Sequence, residues 1–267
     1  MTVNQDNYYG DISNKEYMSA SQFKDFMRCE AMAKAKVDGE YELAVTDAML
    51  IGSYFESIVE GTHEQFQQSH PEMFRKGTED LLDTSKLLKV YADAWRMYDA
   101  VKDSELWQGL VTRGETQKIV VGDIGGVPFK GMLDVYNVGH SIVDIKTTRS
   151  FGKVWSDEHG AYTSFAHAYN YDIQGAVYRE LIKQETGDRL PVYLAVVTKE
   201  DSPDYAVMEI DSKSLDDALE FILMEAPRFQ LIKEGIFEPE RCEKCDHCKA
   251  TRSKTDEQIR NWKDFTG

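Results

Sequence analysis

Three charged residues near the middle of the chain, Asp134, Asp144 and Lys146, stand in a pattern that chemistry could use, within KGMLDVYNVGHSIVDIKTT from Lys130 to Thr148. Two apolar, β-branched runs flank Asn137 to His140, where Gly139 supplies turn chemistry, so the stretch reads as a β-hairpin. Side chains alternate along a strand. Lys130, Met132 and Asp134 therefore share one face of the first strand, and Ile142, Asp144 and Lys146 share one face of the second. Two carboxylates and an ammonium converge. Such oxygen ligands suit Mg²⁺ or Mn²⁺, and the ammonium can position a water or stabilise charge developing on a phosphate. The plainer reading is a pair of exposed cross-strand charges. Against it stands the setting, with Met132, Leu133 and Val135 around one acid and Ile142, Val143 and Ile145 around the other, where an unpaired charge is costly.

More of the pattern lies downstream. A helix from about Ser164 to Glu185 puts Gln174 and Tyr178 on one face and Ile173, Val177 and Leu181 on another. The runs Gly131-Met132-Leu133-Asp134, Asp144-Ile145-Lys146 and Gln174-Gly175-Ala176-Val177-Tyr178 together resemble the PD-(D/E)xK nucleases of the RecB and RecE type, in order and in spacing. The resemblance implies an α/β, restriction-endonuclease-like core: a central mixed sheet flanked by helices, with a helical N-terminal part. It implies a Mg²⁺- or Mn²⁺-dependent exonuclease acting on double-stranded DNA ends, in phage-type recombination or DNA repair. On that reading Asp134, Asp144 and the backbone carbonyl of Ile145 hold the metal, and Lys146 positions or activates the water. Gln174 hydrogen-bonds a phosphate or the water, and Tyr178 supports it. Related nucleases carry Gly-x-x-x-His on an early helix; here Gly52 is followed by Glu56, a harder ligand that keeps a metal role open beside that of a surface glutamate. The alternatives are a single-strand-directed or endonucleolytic relative, or a DNA-binding protein of the same fold without activity. No Walker-type motif is present, so with DNA as partner the chain is expected to act alone, to hand single strands to an annealing protein or to be driven by a separate helicase.

The four cysteines are Cys29, Cys242, Cys245 and Cys248, the last three forming C-x-x-C-x-x-C. Three thiols this close leave no even pairing among themselves, and a metal centre accounts for them better than disulfides do. Cys29 completes the set, with His247 as the nearby substitute. One early cysteine and a late triplet around a nuclease core also resemble the staple of AddB-type and CRISPR-associated RecB-like nucleases, which implies a 4Fe-4S cluster. The final spacing is tighter than in those families, and Zn²⁺ held by four thiolates competes.

With 267 residues and 42% hydrophobic composition, the chain can bury one substantial core. A single nuclease domain is expected: a helical part over 1–110, a catalytic sheet core over 111–235 and a cysteine-rich segment over 236–267. Neither a membrane span nor a signal peptide is seen, which reads as cytoplasmic. The formal net charge of −16 opposes general nucleic-acid binding, yet Lys130, Lys146, Arg149 and Lys153 make the proposed site locally basic. An acidic exterior with a basic groove would favour threaded or ring-like enclosure of DNA, and a homo-oligomer stays open.

The remaining elements must position these groups. Ser19 or Ser21 caps a helix over Gln22 to Val37, and a second helix spans Thr46 to Glu60 with Met49, Leu50, Phe55, Ile58 and Val59 as its buried stripe. Residues 61–80 read as a loop. Asp80 to Leu110 reads as one long helix whose Trp95 and Tyr98 belong to the core rather than to base stacking. A strand begins at Glu115, a candidate supporting acid. The stretch after Thr148 reads as an irregular loop in which Arg149 and Lys153 could follow a phosphate backbone. A buried strand is expected over Pro191 to Thr198, an edge strand over Tyr205 to Ile210, and a closing helix over Leu215 to Lys233.

Overall fold

The alternating run from Glu115 onward builds the sheet, and two groups of helices bury its faces. The computed structural model describes residues 2–156 and 160–253, so residues 254–267 of the expected cysteine-rich segment lie outside the described residues. A short helix α1 (Asp11–Glu16) and strand β1 (Met18–Ser19) lead into α2 (Ala20–Arg28), where the Ser19 hydroxyl accepts from the Gln22 backbone N–H. The helix expected from Gln22 to Val37 breaks at Cys29, which is extended at φ −168° and ψ 110°, and resumes as α3 (Glu30–Asp38). The break frees Cys29 to face the distant triplet. Helix α4 (Asp47–Glu60) lies where the sequence places it, capped by Thr46, but its stripe is rotated: Leu50, Ile51, Tyr54, Phe55 and Ile58 are buried, and Met49 is exposed.

Residues 61–80 are not a plain loop. Helix α5 (His63–Ser69) forms there, because buried Gln67 donates from Nε2 to the Tyr54 hydroxyl at 2.5 Å and Phe66 stacks on Tyr54. The single helix expected from Asp80 to Leu110 is two, α6 (Lys89–Val101) and α7 (Glu105–Val111), separated where the Ser104 hydroxyl accepts from the Trp107 N–H and starts a new helix. Before them, Phe74 pairs with Leu87 in an isolated bridge that helical periodicity could not reveal. Trp95 and Tyr98 pack partly buried against the core, with Trp95 Nε1 donating to the Tyr54 hydroxyl at 2.9 Å.

Strands β2 (Glu115–Ile124), β3 (Val127–Asn137) and β4 (Ser141–Thr148) form the meander expected around Asp134 and Asp144. The stretch after Thr148 is more ordered than an irregular loop: β5 (Val154–Ser156) pairs with β6 (Ala161–Thr163), with Trp155 opposite Tyr162. The expected helix around Gln174 is also split, into α8 (Phe165–Ala168) and α9 (Tyr171–Thr186), at Asn170 with φ +50°. Strand β7 (Val192–Thr198) runs parallel to β4, and β8 (Tyr205–Ile210) is the antiparallel edge, followed by α10 (Ser212–Lys233) and the short α11 (Asp246–Ala250). The main sheet is mixed and six-stranded, in the order β1-β3-β4-β7-β8 with β2 on the other edge of β3.

One core, containing Phe23, Leu133, Val177 and Ile222, lies under α2, α9 and α10; the other, containing Tyr54, Met97, Trp107 and Val135, lies under α4, α6 and α7. Leu133 and Val135 thus serve different cores, and strict alternation breaks at the residue between them, Asp134. A second interruption coincides with it. On one edge β3 is met by β1 at Phe129 and Lys130 and by β4 at Val135 to Asn137, which leaves residues 131–134 without a strand partner there among the described residues. Helix α9 covers that window closely: a Cβ placed on Gly131 would come within 2.9 Å of the Tyr178 ring. Gly131→Val should therefore cost about 1–3 kcal/mol through overpacking, seen as a lower urea midpoint with an unchanged slope.

Candidate active site

The pairing of β3 with β4 covers Val135 with Val143, Tyr136 with Ile142 and Asn137 with Ser141, and stops where Asp134 and Asp144 come opposite one another. A side chain takes over from the ladder: Asp134 Oδ2 accepts the Ile145 backbone N–H at 2.7 Å. Lys146 Nζ lies 2.7 Å from Asp144 Oδ2, 3.8 Å from Asp134 Oδ2 and 3.2 Å from the Ile145 carbonyl. Asp134, Asp144 and Lys146 are therefore brought together as the sequence predicts, by the β3–β4 register although alternation breaks at Asp134. Gln174 and Tyr178 join them: Gln174 Nε2 donates to Asp144 Oδ1 at 2.8 Å and lies 3.0 Å from the Tyr178 hydroxyl. Glu56, entering from α4, approaches Asp134 closely enough to share a hydrogen bond with it.

The electrostatics are those of a crowded anionic site. Burial raises the Asp134 carboxyl well above its usual value, and the Glu56 and Asp144 charges raise it further against the pull of Lys146. Burial also raises Glu56, again with Lys146 opposing. For Lys146 burial works against the charge, but Asp144 and Asp134 outweigh it and keep the ammonium protonated far above neutrality. Asp144 Oδ2 is buried and makes no aligned hydrogen bond among the described residues; the short approach of Lys146 is an ion pair without hydrogen-bond geometry. A buried carboxylate oxygen facing the Lys146 ammonium, two neighbouring carboxylates and a free-edge carbonyl at Ile145 form a hard donor set that fits Mg²⁺ or Mn²⁺.

Three participants carried no signal in the sequence. Gln117, on β2 opposite Asp134, sits at φ +52°, and its Nε2 donates to Glu56 at 3.2 Å and to Glu60. That conformation is uncommon for a residue with a side chain and turns the amide onto the α4 acids. Lys24, on α2, donates to Gln174 Oε1 and to the Tyr169 carbonyl, both at 3.4 Å; burial and the Lys146 charge bring it down to about 8. By engaging the oxygen of the amide, Lys24 turns the Gln174 nitrogen toward Asp144. The Tyr171 ring lies between the two ammonium groups, 5.6 Å from Lys24 Nζ and from Lys146 Nζ. By contrast Glu115, the expected supporting acid, is exposed at the start of β2, opposite Tyr136, and lies 3.7 Å from Lys118. Lys130 shares the cleft with Asp134 but spends its charge on the N-terminal segment, and Arg149 and Lys153 are exposed beyond β4.

A second cluster lies behind α3. The four sulfur atoms of Cys29, Cys242, Cys245 and Cys248 are all within 4.8 Å of one another, with Cys29 and Cys248 3.5 Å apart, Cys29 and Cys245 3.8 Å, and Cys242 and Cys248 3.9 Å. Backbone N–H groups aim at two of them: Cys245 donates to Cys242 Sγ at 3.3 Å and Cys248 to Cys245 Sγ at 3.4 Å. Burial opposes ionisation of Cys242, but the Cys245 and Lys244 amides outweigh it and bring the thiol down to about 6. Beside the cluster, Arg228 pairs with Glu30 through both nitrogens at 3.0 Å, and Glu30 accepts the Glu240 N–H at 2.7 Å, so the C-terminal segment is tied to α3 at several points. His247 turns to the Tyr41 ring instead of to the sulfurs.

Comparison with known proteins agrees with this fold. A family described as "PDDEXK-like domain of unknown function (DUF3799)" matches residues 19–251. The crystal structure of "Putative exonuclease" from Eubacterium rectale is similar with a TM-score of 0.89 and 33% identity, over 100% of this chain and 98% of that one. The structure of a protein called SSO0001 is similar over 73% of this chain and 84% of that one at 16% identity, with a TM-score of 0.28 that carries no argument. No curated protein matches the chain. Among the described residues no helix is long and apolar enough to cross a membrane.

Because Glu56 and Asp134 titrate above their unfolded values, the folded protein without metal holds their protons longer than the unfolded chain does. Their contribution to stability is most favourable below the unfolded carboxylate range and is lost as pH rises through it toward the raised folded values. Asp134→Asn should consequently raise the melting temperature of the chelator-treated protein at neutral pH. The same change should remove most of the stabilisation by Mg²⁺ or Mn²⁺, which for one intact site is about 2.7 kcal/mol at a hundredfold excess over Kd. Thermal melts with and without metal check both signs.

Proposed function

From a chain that belongs to the PDDEXK-like family DUF3799, we propose a divalent-metal-dependent deoxyribonuclease that hydrolyses phosphodiester bonds at the ends of double-stranded DNA. The observation that carries this reading is the meeting of Asp134, Asp144 and Lys146 where the β3–β4 ladder ends. The relative from Eubacterium rectale, called a "Putative exonuclease", supports the end-directed form. Phage-type recombination or repair is the setting, with DNA as the partner and a single-strand annealing protein to receive the exposed strand; a homo-oligomer is compatible with both. The chain acts as a single nuclease domain whose cysteine-rich segment is a staple.

In hydrolysis a water oxygen forms a bond to phosphorus, the bond from phosphorus to one sugar oxygen breaks, and that oxygen takes up a proton. Mg²⁺ or Mn²⁺, held by Asp134, Asp144 and the Ile145 carbonyl with Glu56 beside them, would polarise the phosphate and stabilise the charge on the leaving oxygen. Lys146 remains an ammonium in this field, so it orients the water and stabilises negative charge on the phosphate rather than accepting a proton. Gln174 holds Asp144 in place through its nitrogen, with Lys24 on the amide oxygen and Tyr178 alongside. A single-strand-directed or internally cutting enzyme uses the same constellation, and the choice of substrate separates them.

The thiolate cluster favours Zn²⁺ over the 4Fe-4S cluster that the cysteine pattern resembles. Four thiolates about 2.3 Å from one tetrahedral ion lie about 3.8 Å apart. Three of the six separations, at 3.5, 3.8 and 3.9 Å, support that arrangement, with all six within 4.8 Å. A cluster that binds each thiolate through a different iron holds its sulfurs farther apart. Purified without added metal, the protein should be colourless and carry stoichiometric zinc that is lost in Cys248→Ser; iron, sulfide and visible absorbance would reverse the assignment.

Incubation of linear and covalently closed circular DNA with Mg²⁺ tests the nuclease. Linear DNA should be degraded and circles spared, with Asp144→Ala at background and Lys146→Ala about 100- to 1,000-fold slower. Cutting of circles would make the enzyme an endonuclease. Equal rates in the variants would place the activity elsewhere.

A further inference from the structure

The nuclease site opens onto a cleft of about 420 Å³ lined by Glu56 and Asp134 and also by Tyr9, Asn14, Ser21 and Gln22. That volume lies near the lower end of the roughly 300–1,000 Å³ typical of small-molecule sites, enough for one nucleotide and far too little for a duplex. Its N-terminal wall is fastened to the sheet by a buried residue outside the hydrolytic constellation. Lys130 donates to Ser13 Oγ at 3.0 Å, to Asn14 Oδ1 at 2.7 Å and to the Tyr8 carbonyl at 2.5 Å, and its ammonium stands 4.6 Å from the Tyr8 ring centre. The Tyr8 hydroxyl is hydrogen-bonded by the backbone of Met132, inside the unpaired window of β3. A segment preceding the family-matched residues 19–251 therefore forms part of the site.

We propose that this cleft receives the terminal nucleoside of a DNA strand, with the phosphate to be cut held at the carboxylates, and that the Lys130-fastened N-terminal wall makes the site select strand ends. The proposal rests on the nuclease reading and gives its end specificity a structural basis and a preferred terminus. Two properties of the lining define the ligand. The lysines that line the cleft are committed: Lys130 to its three oxygens, and Lys36 to Asp25. With Glu56 and Asp134 in the same cleft, a second phosphate meets negative charge without a spare cation among the described lining residues, whereas an uncharged nucleoside does not. The amides are committed too. Asn14 accepts from Lys130 and donates to the Tyr9 carbonyl, and Gln22 donates to the Asn14 carbonyl and accepts from Lys233. Such a lining reserves few polar groups for reading base edges. What it offers is the Tyr9 ring, 73% exposed, on which any base can stack, and the exposed Ser21 at the start of α2.

The test has two arms. In the first, linear duplexes whose termini carry either a hydroxyl or a phosphate are digested with Mg²⁺ by the wild type, Ser21→Trp and Tyr9→Ala, after melting curves show all three folded. The products should be mononucleotides of all four bases. A phosphate on the terminus where degradation begins should slow it at least about tenfold, by like-charge juxtaposition. Ser21→Trp, which fills the cleft, should slow it about 100-fold through misplacement of the strand. Products longer than one nucleotide, or rates indifferent to both the terminal phosphate and Ser21→Trp, overturn the proposal while Asp144-dependent degradation leaves the nuclease reading standing. The second arm does not depend on turnover: without metal, thymidine should bind the wild type more tightly than thymidine bisphosphate does and should not bind Ser21→Trp, as followed by ligand-observed NMR. No thymidine binding, or preference for the bisphosphate, overturns it.

Discussion

A β-ladder that ends between two facing aspartates sets the terms for everything around it. Once Asp134 and Asp144 lose their cross-strand backbone partners, the freed Ile145 N–H and both carboxylates need new ones in a site from which water is largely excluded. Asp134 takes the amide, Gln174 reaches over from α9 to Asp144, and Lys146 stands between them. Adding Glu56 from α4 makes three carboxylates against one ammonium at contact range. A site with that balance is satisfied by a divalent cation more completely than by any side chain within reach, which is why the arrangement reads as chemistry and not as a structural ion pair.

The same imbalance bears on how an acidic chain approaches a polyanion. With a formal charge of −16, long-range attraction does not bring DNA to this surface. Contact has to be made locally, at the bound cation, at Lys146, and at the exposed Arg149 and Lys153 that follow β4. A cleft that took only a neutral nucleoside beside its acids, as proposed above, would turn that weakness into selectivity. The interior of a duplex presents phosphates on both sides of every sugar, whereas an end presents one sugar without an outer phosphate.

Legibility in the sequence followed the range of the physics. Asp134, Asp144 and Lys146 were readable because a strand repeats every two residues and a hairpin fixes which residues face each other; Gln174 and Tyr178 were readable because a helix brings them onto one face. The strands at Val192 to Thr198 and Tyr205 to Ile210 declared themselves by their apolar runs. What failed depended on contacts between distant segments. Gln117 matters because its backbone turns to φ +52° against α4, and no neighbour in sequence announces that; Glu115, two residues earlier on the same strand, drew attention only because it is an acid. Lys24 had no reason to stand out among surface lysines until α2 packed against α9. The helix break at Cys29, the helix at His63–Ser69 and the division at Ser104 likewise came from tertiary partners or local caps that outweighed an unbroken helical pattern.

The thiolate cluster and the carboxylate site sit at opposite ends of one short piece of chain, and that connects them mechanically. Cys29 ends α2 and begins α3, and the sulfur it approaches at Cys248 belongs to a residue 219 positions later. Closing a loop of that length through one ion would remove much of the freedom of the unfolded chain, so metal in the cluster would stabilise the fold out of proportion to its few contacts. The gain is delivered at α2. That helix carries Lys24, which orients Gln174, and Ser21, which borders the cleft, while Arg228 and Glu240 lock the adjoining turn of α3 through Glu30. If α2 were free to shift by even an ångström, the Gln174 amide could turn and present its oxygen to Asp144, an arrangement of like partial charges that would loosen the acid the hydrolysis depends on. The cysteines thus need no part in the chemistry to be required by it: they fix the helix that fixes the amide that holds the carboxylate.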